Sequence, residues 1–283
     1  MLIPLVVLIL LFEAYPIYKI IEFSLFSQNT LSASRTFVGI TNFIDLFRSR
    51  ESLNALKNSL YWTVGTVSLQ VTIGLFVALL IHKRFPGRSI VRSLVLFSYI
   101  IPIVVAAVVW KFMLGGDTGI VNHILKNMLH IPVSGAWFSD PRTVMLAVIL
   151  VEVWKNFPFA VIVCLAQLQS IDQELYQAAK VDGANRIQEF FYITLPFMRT
   201  VLIMALMFRT IWEFKYFDLI FILTQGGPLR LTTTIPVQIY KFTFEQLSLG
   251  RGSALAVVMF VVIFLTSFVY IRFYKKMQEE LGA

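Results

Sequence analysis

The chain has 283 residues, of which 58% are hydrophobic and only 14% are charged. Soluble globular proteins contain about 45–50% apolar and about 25% charged residues, so this composition excludes a soluble domain and predicts an integral membrane protein. The formal net charge is +8, but the basic residues flank apolar runs and do not alternate with aromatic residues, so we expect no nucleic-acid partner. One cysteine and three scattered histidines predict neither an intrachain disulfide nor a metal site.

Six apolar runs, each long enough to cross the hydrocarbon core of a bilayer, follow one another along the chain. They lie at about 2–24, 58–82, 90–113, 143–168, 198–223 and 253–274. The first run lacks the basic start and the small-residue cleavage site of a secretory signal, so it is predicted to be retained as a span. Pro102 and Pro158 predict kinks within their spans. The sequence therefore predicts an all-α, polytopic membrane protein with six transmembrane helices and a single domain over residues 1–283.

The distribution of Lys and Arg predicts the orientation in the membrane. The two sets of loops contain equal numbers of basic residues, but those of one set are packed into short segments beside span ends. This set includes residues 83–92 and the C-terminal tail, and the positive-inside rule acts most strongly on such segments. We therefore predict that both termini lie in the cytoplasm.

A charged, Ala-rich stretch separates the fourth run from the fifth, and we call residues 172–196 the helix-pair segment. Asp172 is a predicted N-cap for a helix over 173–181, and Gly183 permits a backbone turn that a residue with a Cβ atom would resist. Asn185 can cap a second, amphipathic helix, which is predicted to end before Pro196. From these residues alone, the pair is either a docking surface for another protein or an interfacial helix in the headgroup region.

The helix-pair segment resembles the "EAA…G…ITLP" signature of permease subunits in bacterial ABC importers. The resemblance is carried by Gln177-Ala178-Ala179, Gly183 and Ile193-Thr194-Leu195-Pro196. In that family the motif forms a coupling helix that docks into a cleft of the ATP-binding subunit. The residues that the resemblance implies in coupling are Gln177, Ala178, Ala179, Asp182, Gly183, Arg186 and Pro196. Because Gln177 replaces the usual Glu, docking is expected to depend less on a charged contact there.

Further motifs, spread over essentially the full length, resemble the carbohydrate-uptake branch of these permeases, the maltose- and glycerol-phosphate-type proteins. They lie at residues 37–43, 102–110, 224–228 and 232–234. The resemblance implies a type I ABC importer permease fold in a bacterial inner membrane and a sugar or sugar-like solute. The implied partners are membrane lipid, a second homologous permease subunit, two ATP-binding subunits and an extracellular or periplasmic solute-binding protein. ATP and Mg²⁺ would be bound by the partner ATPase, and this chain would bind no cofactor directly.

Two of the predicted spans contain charged residues well inside them: Glu152, Lys155, Arg209 and Glu213. Each charge costs about 2.5–3.5 kcal/mol at a helix centre, so these residues are predicted to face a protein interior or a wet cavity. Helical spacing groups them with amide and aromatic side chains on one face of each span, which suits a sugar site. The predicted substrate-binding residues are Lys155, Asn156, Phe159, Arg209, Trp212, Glu213 and Tyr216. The alternative is ion pairing within each helix, between Glu152 and Lys155 and between Arg209 and Glu213.

The polar faces of these two spans are also compatible with other functions. A proton-coupled secondary carrier would titrate Glu152 and Glu213, although the spans show no internal symmetry. An intramembrane enzyme would use Glu152 and Asp218 as a carboxylate pair, but Asp218 lies nearer the outer end of its span. The sequence shows no nucleophile–base arrangement and no phosphate loop, so no catalytic residue is predicted. An ABC permease for another solute, such as a polyamine or phosphate, is a closer alternative. The turn at residues 225–228 either simply ends the fifth span or contacts the solute-binding protein.

Overall fold

The computed structural model describes residues 7–31, 34–83, 85–116, 118–131 and 135–280, so residues 2–6 of the first predicted span lie outside the described part. The first half contains α1 at residues 7–24 (with a π-helical turn at Leu10–Ala14), β1 Phe26–Gln28, β2 Arg35–Phe37, α2 Thr41–Arg48, α3 Arg50–His82, α4 Arg88–Ile100, α5 Ile103–Met113 and α6 Ile120–His123, which continues as the π-helical turn Ile124–Met128. The second half contains α7 Val144–Ser170, α8 Gln173–Val181, α9 Arg186–Phe214 (with a π-helical turn at Phe190–Thr194), α10 Asp218–Thr224, α11 Ile235–Tyr240, the π-helical turn Lys241–Glu245 and α12 Leu249–Glu280. Apart from one short hairpin, the predicted all-α fold is confirmed.

Among the described residues, four helices are long and apolar enough to cross a membrane, namely α3, α7, α9 and α12. Helices α4 and α5 are bent by 100° against each other where Pro102 separates them, and they count as a fifth span if the bent pair is taken as one. Proline lacks the amide that would continue the helix, so the predicted kink lies where the chemistry requires it. Since α1 contains residues 7–24 of the first predicted span, the structure is compatible with six spans.

Two predicted helix boundaries are wrong, and both concern α9. The helix that Asn185 caps does not end before Pro196 but continues to Phe214. A π-helical turn directly precedes Pro196, and its wider winding relieves the clash that a proline ring makes with the preceding turn. The predicted span 198–223 stops at Phe214, and Asp218 begins a new helix, where its carboxylate favours the positive N-terminal end. Hydropathy misses this break because the apolar run continues across it.

Two compact units divide the chain, and the first consists of residues 1–61 and 214–265. Its hairpin is antiparallel, with Phe26 opposite Phe37. The side-chain amide of Asn42 donates hydrogen bonds to the carbonyls of Ser24, at 2.8 Å, and Phe26, at 3.0 Å, so α2 is tied to the start of β1. The hydrophobic core of this unit contains Leu46, Phe214, Ile235, Phe242, Ala254 and Leu255.

The second unit consists of residues 62–213 and 266–283. Within it, α3 and α7 approach so closely that a Cβ atom on Gly74 would lie 2.4 Å from the Cβ atom of Ala160. Helix α7 runs through Pro158 as one helix. The core of this unit contains Ala78, Ile81, Val161, Cys164, Leu168, Ile171 and Met198. It joins α3 to α7 and α9, and the last two helices carry Glu152, Lys155, Arg209 and Glu213.

Candidate functional site

Both helices of the helix-pair segment begin at the predicted N-caps. The Asp172 carboxylate accepts a hydrogen bond from the Glu174 amide at 3.0 Å. The Asn185 side chain accepts hydrogen bonds from the amides of Ile187 and Gln188, each at 3.0 Å, while the Gln188 side chain accepts one from the Asn185 amide at 2.8 Å. This reciprocal capping box satisfies amides that have no partner within the helix. The two predicted caps are confirmed.

Gly183 forms the turn between α8 and α9. Its φ angle is +80°, in the left-handed region that residues with a Cβ atom rarely adopt. A Cβ atom there would meet nothing within 4 Å, so glycine is required for its conformation and not for space. The amides of Gly183 and Ala184 donate to the carbonyls of Lys180 and Ala179, which closes the end of α8.

The helix pair presents an exposed surface held in a fixed shape. Most of the predicted coupling residues are exposed, as are the apolar neighbours Val181 and Ile187, while Ala179 is half-buried. The hydroxyl groups of Tyr176 and Thr194 share a hydrogen bond at 2.9 Å, which fastens α8 to α9. An exposed apolar surface on ordered helices suits docking by another protein.

Pro196 is placed differently from the other six predicted coupling residues. It lies half-buried inside α9, beyond the π-helical turn, and not at the turn around Gly183. The structure therefore brings six of the seven residues into the exposed turn region and leaves Pro196 in the span.

The charged residues of α7 and α9 meet inside the second unit. The Arg209 guanidinium pairs with the Glu213 carboxylate on its own helix and lies 3.6 Å from a carboxylate oxygen of Glu152. Arg209 Nε donates to Gln70 Oε1 at 2.7 Å, and Gln70 Nε2 donates to Glu213 Oε1 at 3.1 Å. The Asn156 side chain donates to the Glu152 carboxylate. We call Gln70, Glu152, Asn156, Arg209 and Glu213 the charge cluster.

The charges of this cluster are almost fully buried, since Glu152, Arg209 and Glu213 are between 0% and 3% exposed. The alternative of ion pairing is confirmed for Arg209 with Glu213, and it is wrong for Glu152 with Lys155. Glu152 faces Arg209 on another helix, and the Lys155 ammonium donates to the Tyr99 carbonyl at 2.9 Å. Opposite charges brought together in this way offset part of the cost of burying charge in an apolar interior. The substrate-binding roles of Lys155, Arg209 and Glu213 stay predictions.

Two aromatic rings cover the Arg209 guanidinium. Phe159 and Trp212 meet edge to face with ring centroids 5.2 Å apart, and the guanidinium carbon lies 5.9 Å and 5.6 Å from these centroids. Such distances fit cation–π attraction. Trp212 is 38% exposed and Phe159 is half-buried, so these two rings are accessible parts of the predicted substrate-binding faces of α7 and α9.

Tyr216 does not belong to the helical face on which the sequence analysis placed it. Arg209, Trp212 and Glu213 share α9, but that helix ends at Phe214 and Tyr216 follows in the break before Asp218. The spacing rule for one helical face requires an unbroken helix, and the break at residues 215–217 removes that condition.

Helix α3 also contributes to the charge cluster, which was not predicted from the sequence. Gln70 is fully buried and bonds both Arg209 and Glu213, while the Trp62 indole donates to the Glu213 carbonyl at 3.0 Å. The signal was present, because a single amide within a long apolar run is costly in a membrane unless it has a partner. The sequence pattern does not identify that partner, because it lies on a helix that is distant along the chain.

In the first unit, the loop after α10 is a tight turn, as one of the two interpretations of residues 225–228 predicts. Gln225 has a φ angle of +52° and closes α10, and the Thr232 hydroxyl donates to the Gly227 carbonyl at 2.8 Å. Arg230 pairs with Glu51, and the preceding residue, Leu229, is 82% exposed. The loop is thus anchored at its base and presents an apolar side chain at its tip.

Residues 70–279 match the protein family described as the binding-protein-dependent transport system inner membrane component. The chain belongs to this family. It is 34% identical to the trehalose/maltose transport system permease protein MalF of Thermococcus litoralis, over 96% of this chain and 91% of that protein. It is also 34% identical to the sulfoquinovosyl glycerol transport system permease protein SmoG of Agrobacterium fabrum, over 95% of this chain and 87% of that protein.

The fold of this inner membrane component also matches a solved transporter. A chain of the bacterial alginate ABC transporter, crystallised in complex with alginate pentasaccharide-bound periplasmic protein, superposes with a TM-score of 0.84 at 25% identity, covering 95% of this chain and 91% of that one. The type I ABC importer permease fold is confirmed. The chain is a multi-pass membrane permease subunit of an ABC importer and not an enzyme, and the ATPase is a separate subunit. The secondary carrier and the intramembrane enzyme are therefore wrong.

Proposed function

We propose that this permease imports a sugar or a sugar-like solute. The observation that carries the proposal is the similarity over nearly the full length to permeases named for trehalose/maltose and sulfoquinovosyl glycerol transport. The structural similarity to the alginate transporter supports the same class of solute. The shared chemistry of these solutes is a ring with many hydroxyl groups and apolar C–H faces.

The accessible members of the predicted substrate-binding residues suit such a solute. Trp212 and Phe159 present flat rings that can cover the C–H face of a sugar, and the half-buried Asn156 can exchange hydrogen bonds with a hydroxyl group. In this proposal Lys155, Arg209 and Glu213 lie beneath the aromatic rings. They are buried and bonded, and they hold the rings in position. For Tyr216 a substrate contact stays a prediction.

The helix-pair segment would couple the permease to ATP hydrolysis. In this proposal α8 and the turn at Gly183 dock into a cleft of an ATP-binding subunit, with Gln177, Asp182 and Arg186 at its edge. The exposure of these residues and the rigid double capping of the pair support this role. Docking would place the segment and both chain termini in the cytoplasm.

The complete importer would contain this chain, a second homologous permease subunit, two ATP-binding subunits and a solute-binding protein on the outer side. ATP and Mg²⁺ would be bound by the ATP-binding subunits. When these close around ATP, they would draw the docked helix pairs of the two permeases together and open the pathway outward. Leu229, exposed on its anchored loop, is a contact for the solute-binding protein in this proposal.

The test is transport by the complete importer reconstituted in proteoliposomes, with its solute-binding protein, ATP and a panel of solutes. We expect uptake of one class of sugar and none of a polyamine or of phosphate. Replacing Trp212 by Ala should raise the KM for that sugar about threefold to tenfold, because an aromatic contact contributes about 0.5–1.5 kcal/mol. Phe197→Ala, at a more exposed ring on the same helix, is the matched control and should leave KM unchanged. Uptake of only the polyamine or phosphate would refute the proposed sugar specificity.

A further inference from the structure

A groove of about 270 Å³ lies in the second unit, away from the residues assigned to transport. Its walls come from the end of α3, the middle of α4 and the second half of α7. The apolar residues along it include Ile81, Val95, Leu96, Ile162, Leu165 and Ala166, and its polar residues are Arg92 and Gln169. An apolar groove with a single cationic side chain has the character of a site for an amphipathic anion.

Arg92 is the residue that most needs a ligand here. Its Nε and Nη2 atoms are buried and have no hydrogen-bond partner within the described part of the chain. A guanidinium group carries five N–H donors and cannot lose its charge, so burying it without an acceptor is costly. Neighbouring Arg88 differs, because its Nε donates to the Ile81 carbonyl at 2.6 Å.

Further basic residues lie around Arg92. Arg88 and Arg92 both act electrostatically on His82 at the end of α3, and the Nδ1 atom of His82 is also buried without a partner among the described residues. A neighbouring cleft at the same end of α3 is lined by His82, Lys83, Lys180 and Arg186, with Glu189 as its acidic member. An anion is therefore favoured over a cation or a neutral polar molecule.

The two helices that flank the groove carry exposed apolar side chains. Ile162 lines the groove on α7, Leu94 and Phe97 lie elsewhere on α4, and all three are exposed. Acyl chains are the natural contact of such side chains in a membrane protein, and basic pockets between membrane helices bind anionic headgroups. The combination of an apolar channel with an unpartnered arginine at one end matches the two parts of a phospholipid.

We propose that the groove between α4 and α7 binds one anionic phospholipid. The phosphodiester accepts hydrogen bonds from the Arg92 guanidinium, and an acyl chain lies along Val95, Leu96 and Leu165. The site does not depend on which solute is transported, so failure of the sugar proposal and failure of this one are distinguishable.

The experiment is native mass spectrometry of the assembled importer in a neutral detergent, titrated with phosphatidylglycerol or phosphatidylcholine. We expect phosphatidylglycerol to bind the parent more tightly. Arg92→Gln should weaken phosphatidylglycerol about fivefold and leave phosphatidylcholine unchanged, because a basic residue near an anionic headgroup contributes on the order of 1 kcal/mol. Arg199→Gln, at an exposed arginine of α9, is the matched control and should bind as the parent does. Equal binding of phosphatidylglycerol by the parent and Arg92→Gln overturns the proposal.

A second variant tests the channel for the acyl chain. Ile162→Trp fills the groove and should weaken both lipids, whereas Leu150→Trp, on the same helix and 47% exposed against 45% for Ile162, should weaken neither. Because Ile162 is at the surface, this variant keeps the test available if Arg92→Gln fails to assemble. Unchanged lipid binding by Ile162→Trp contradicts the proposed position of the chain.

Two further experiments distinguish a bound lipid from other molecules that could fill the groove. Inorganic phosphate and glycerol phosphate, at the concentration that saturates the site with phosphatidylglycerol, should displace little of the lipid. Complete displacement would assign the site to free phosphate and overturn the proposal. Ile162→Cys with a cysteine-directed crosslinker should capture a reactive phosphatidylglycerol analogue. Capture of the second permease subunit would instead make the groove a subunit contact.

Discussion

The helix-pair segment and the charge cluster are both rich in polar residues, yet they are built in opposite ways. In the helix-pair segment the hydrogen bonds that cap the helices and form the turn join residues two to five positions apart, and only the bond between Tyr176 and Thr194 spans a longer distance along the segment. Most of the side chains around the turn are exposed. In the charge cluster Gln70 bonds residues that are 139 and 143 positions away, and the charges are excluded from solvent. A surface for docking can be assembled from local chemistry, whereas charges inside a membrane protein depend on helices that are distant in sequence.

The largest effect should come from removing the only cation of the charge cluster. Arg209→Met leaves the Glu152 and Glu213 carboxylates buried without a counter-charge, and we expect the free energy of unfolding to fall by about 3–5 kcal/mol. The amount of folded protein in membranes and the unfolding temperature of the purified importer measure this loss. The double variant Arg209→Met with Glu213→Gln should recover part of the stability. A single variant with the parent's unfolding temperature would show that the cluster is not structural.

A smaller loss of stability is expected when the hydrogen bonds between α3 and the charge cluster are removed. Gln70→Leu removes the acceptor for Arg209 Nε and the donor for Glu213, which should cost about 1–3 kcal/mol because buried partners are left unsatisfied. Thermal unfolding is again the measurement. Ser68→Leu, at an exposed position of the same helix, should have little effect. Equal unfolding temperatures for the two variants would argue against a contribution from α3.

In the helix-pair segment we expect changes in coupling with little change in stability. Gly183→Val forces a β-branched residue into the left-handed region at a cost of about 1–2 kcal/mol, so the turn should shift and the number of solute molecules moved per ATP should drop severalfold. Asn tolerates this conformation, so Gly183→Asn should stay close to the parent. Coupled transport by the Val variant at the parent's ratio would count against docking at this turn.

The smallest effect concerns the capping box. Asn185→Ala removes the acceptor for the amides of Ile187 and Gln188, and the start of α9 should become less stable by about 1 kcal/mol. Amide hydrogen exchange at these two residues should then be about fivefold faster, while Asn185→Asp, which keeps an acceptor, should exchange as the parent does. Unchanged exchange in the Ala variant would show that the cap is held by other contacts.

The same contrast explains how much could be predicted from the sequence. The caps at Asp172 and Asn185, the turn at Gly183 and the bend at Pro102 were predictable, because each depends on the chemistry of one residue and its near neighbours. The continuation of α9 through Pro196 was not, because a π-helical turn before the proline changes the rule that helices end there. The break after Phe214 lies within an apolar run, so the hydropathy of the sequence does not reveal it.

The charge cluster was predicted only in part, for a physical reason. The cost of burying charge required that Glu152, Lys155, Arg209 and Glu213 avoid lipid, and all four are buried. Which charge meets which depends on how α3, α7 and α9 are rotated and shifted against one another, and periodicity within one helix contains no such information. Intrahelical spacing therefore found Arg209 with Glu213 and missed both Glu152 with Arg209 and Gln70 altogether.

The contact between Gly74 and Ala160 has a mechanical consequence for a transporter. Two helices that touch where a side chain is missing have no clearance, so α3 and α7 cannot slide or roll past each other without a backbone collision at this point. We therefore expect little shear between α3 and α7 during transport and expect the two helices to move together. Deformation is expected where the chain already interrupts its helices, such as the bend at Pro102, because backbone rotation at such a break disturbs few packed atoms.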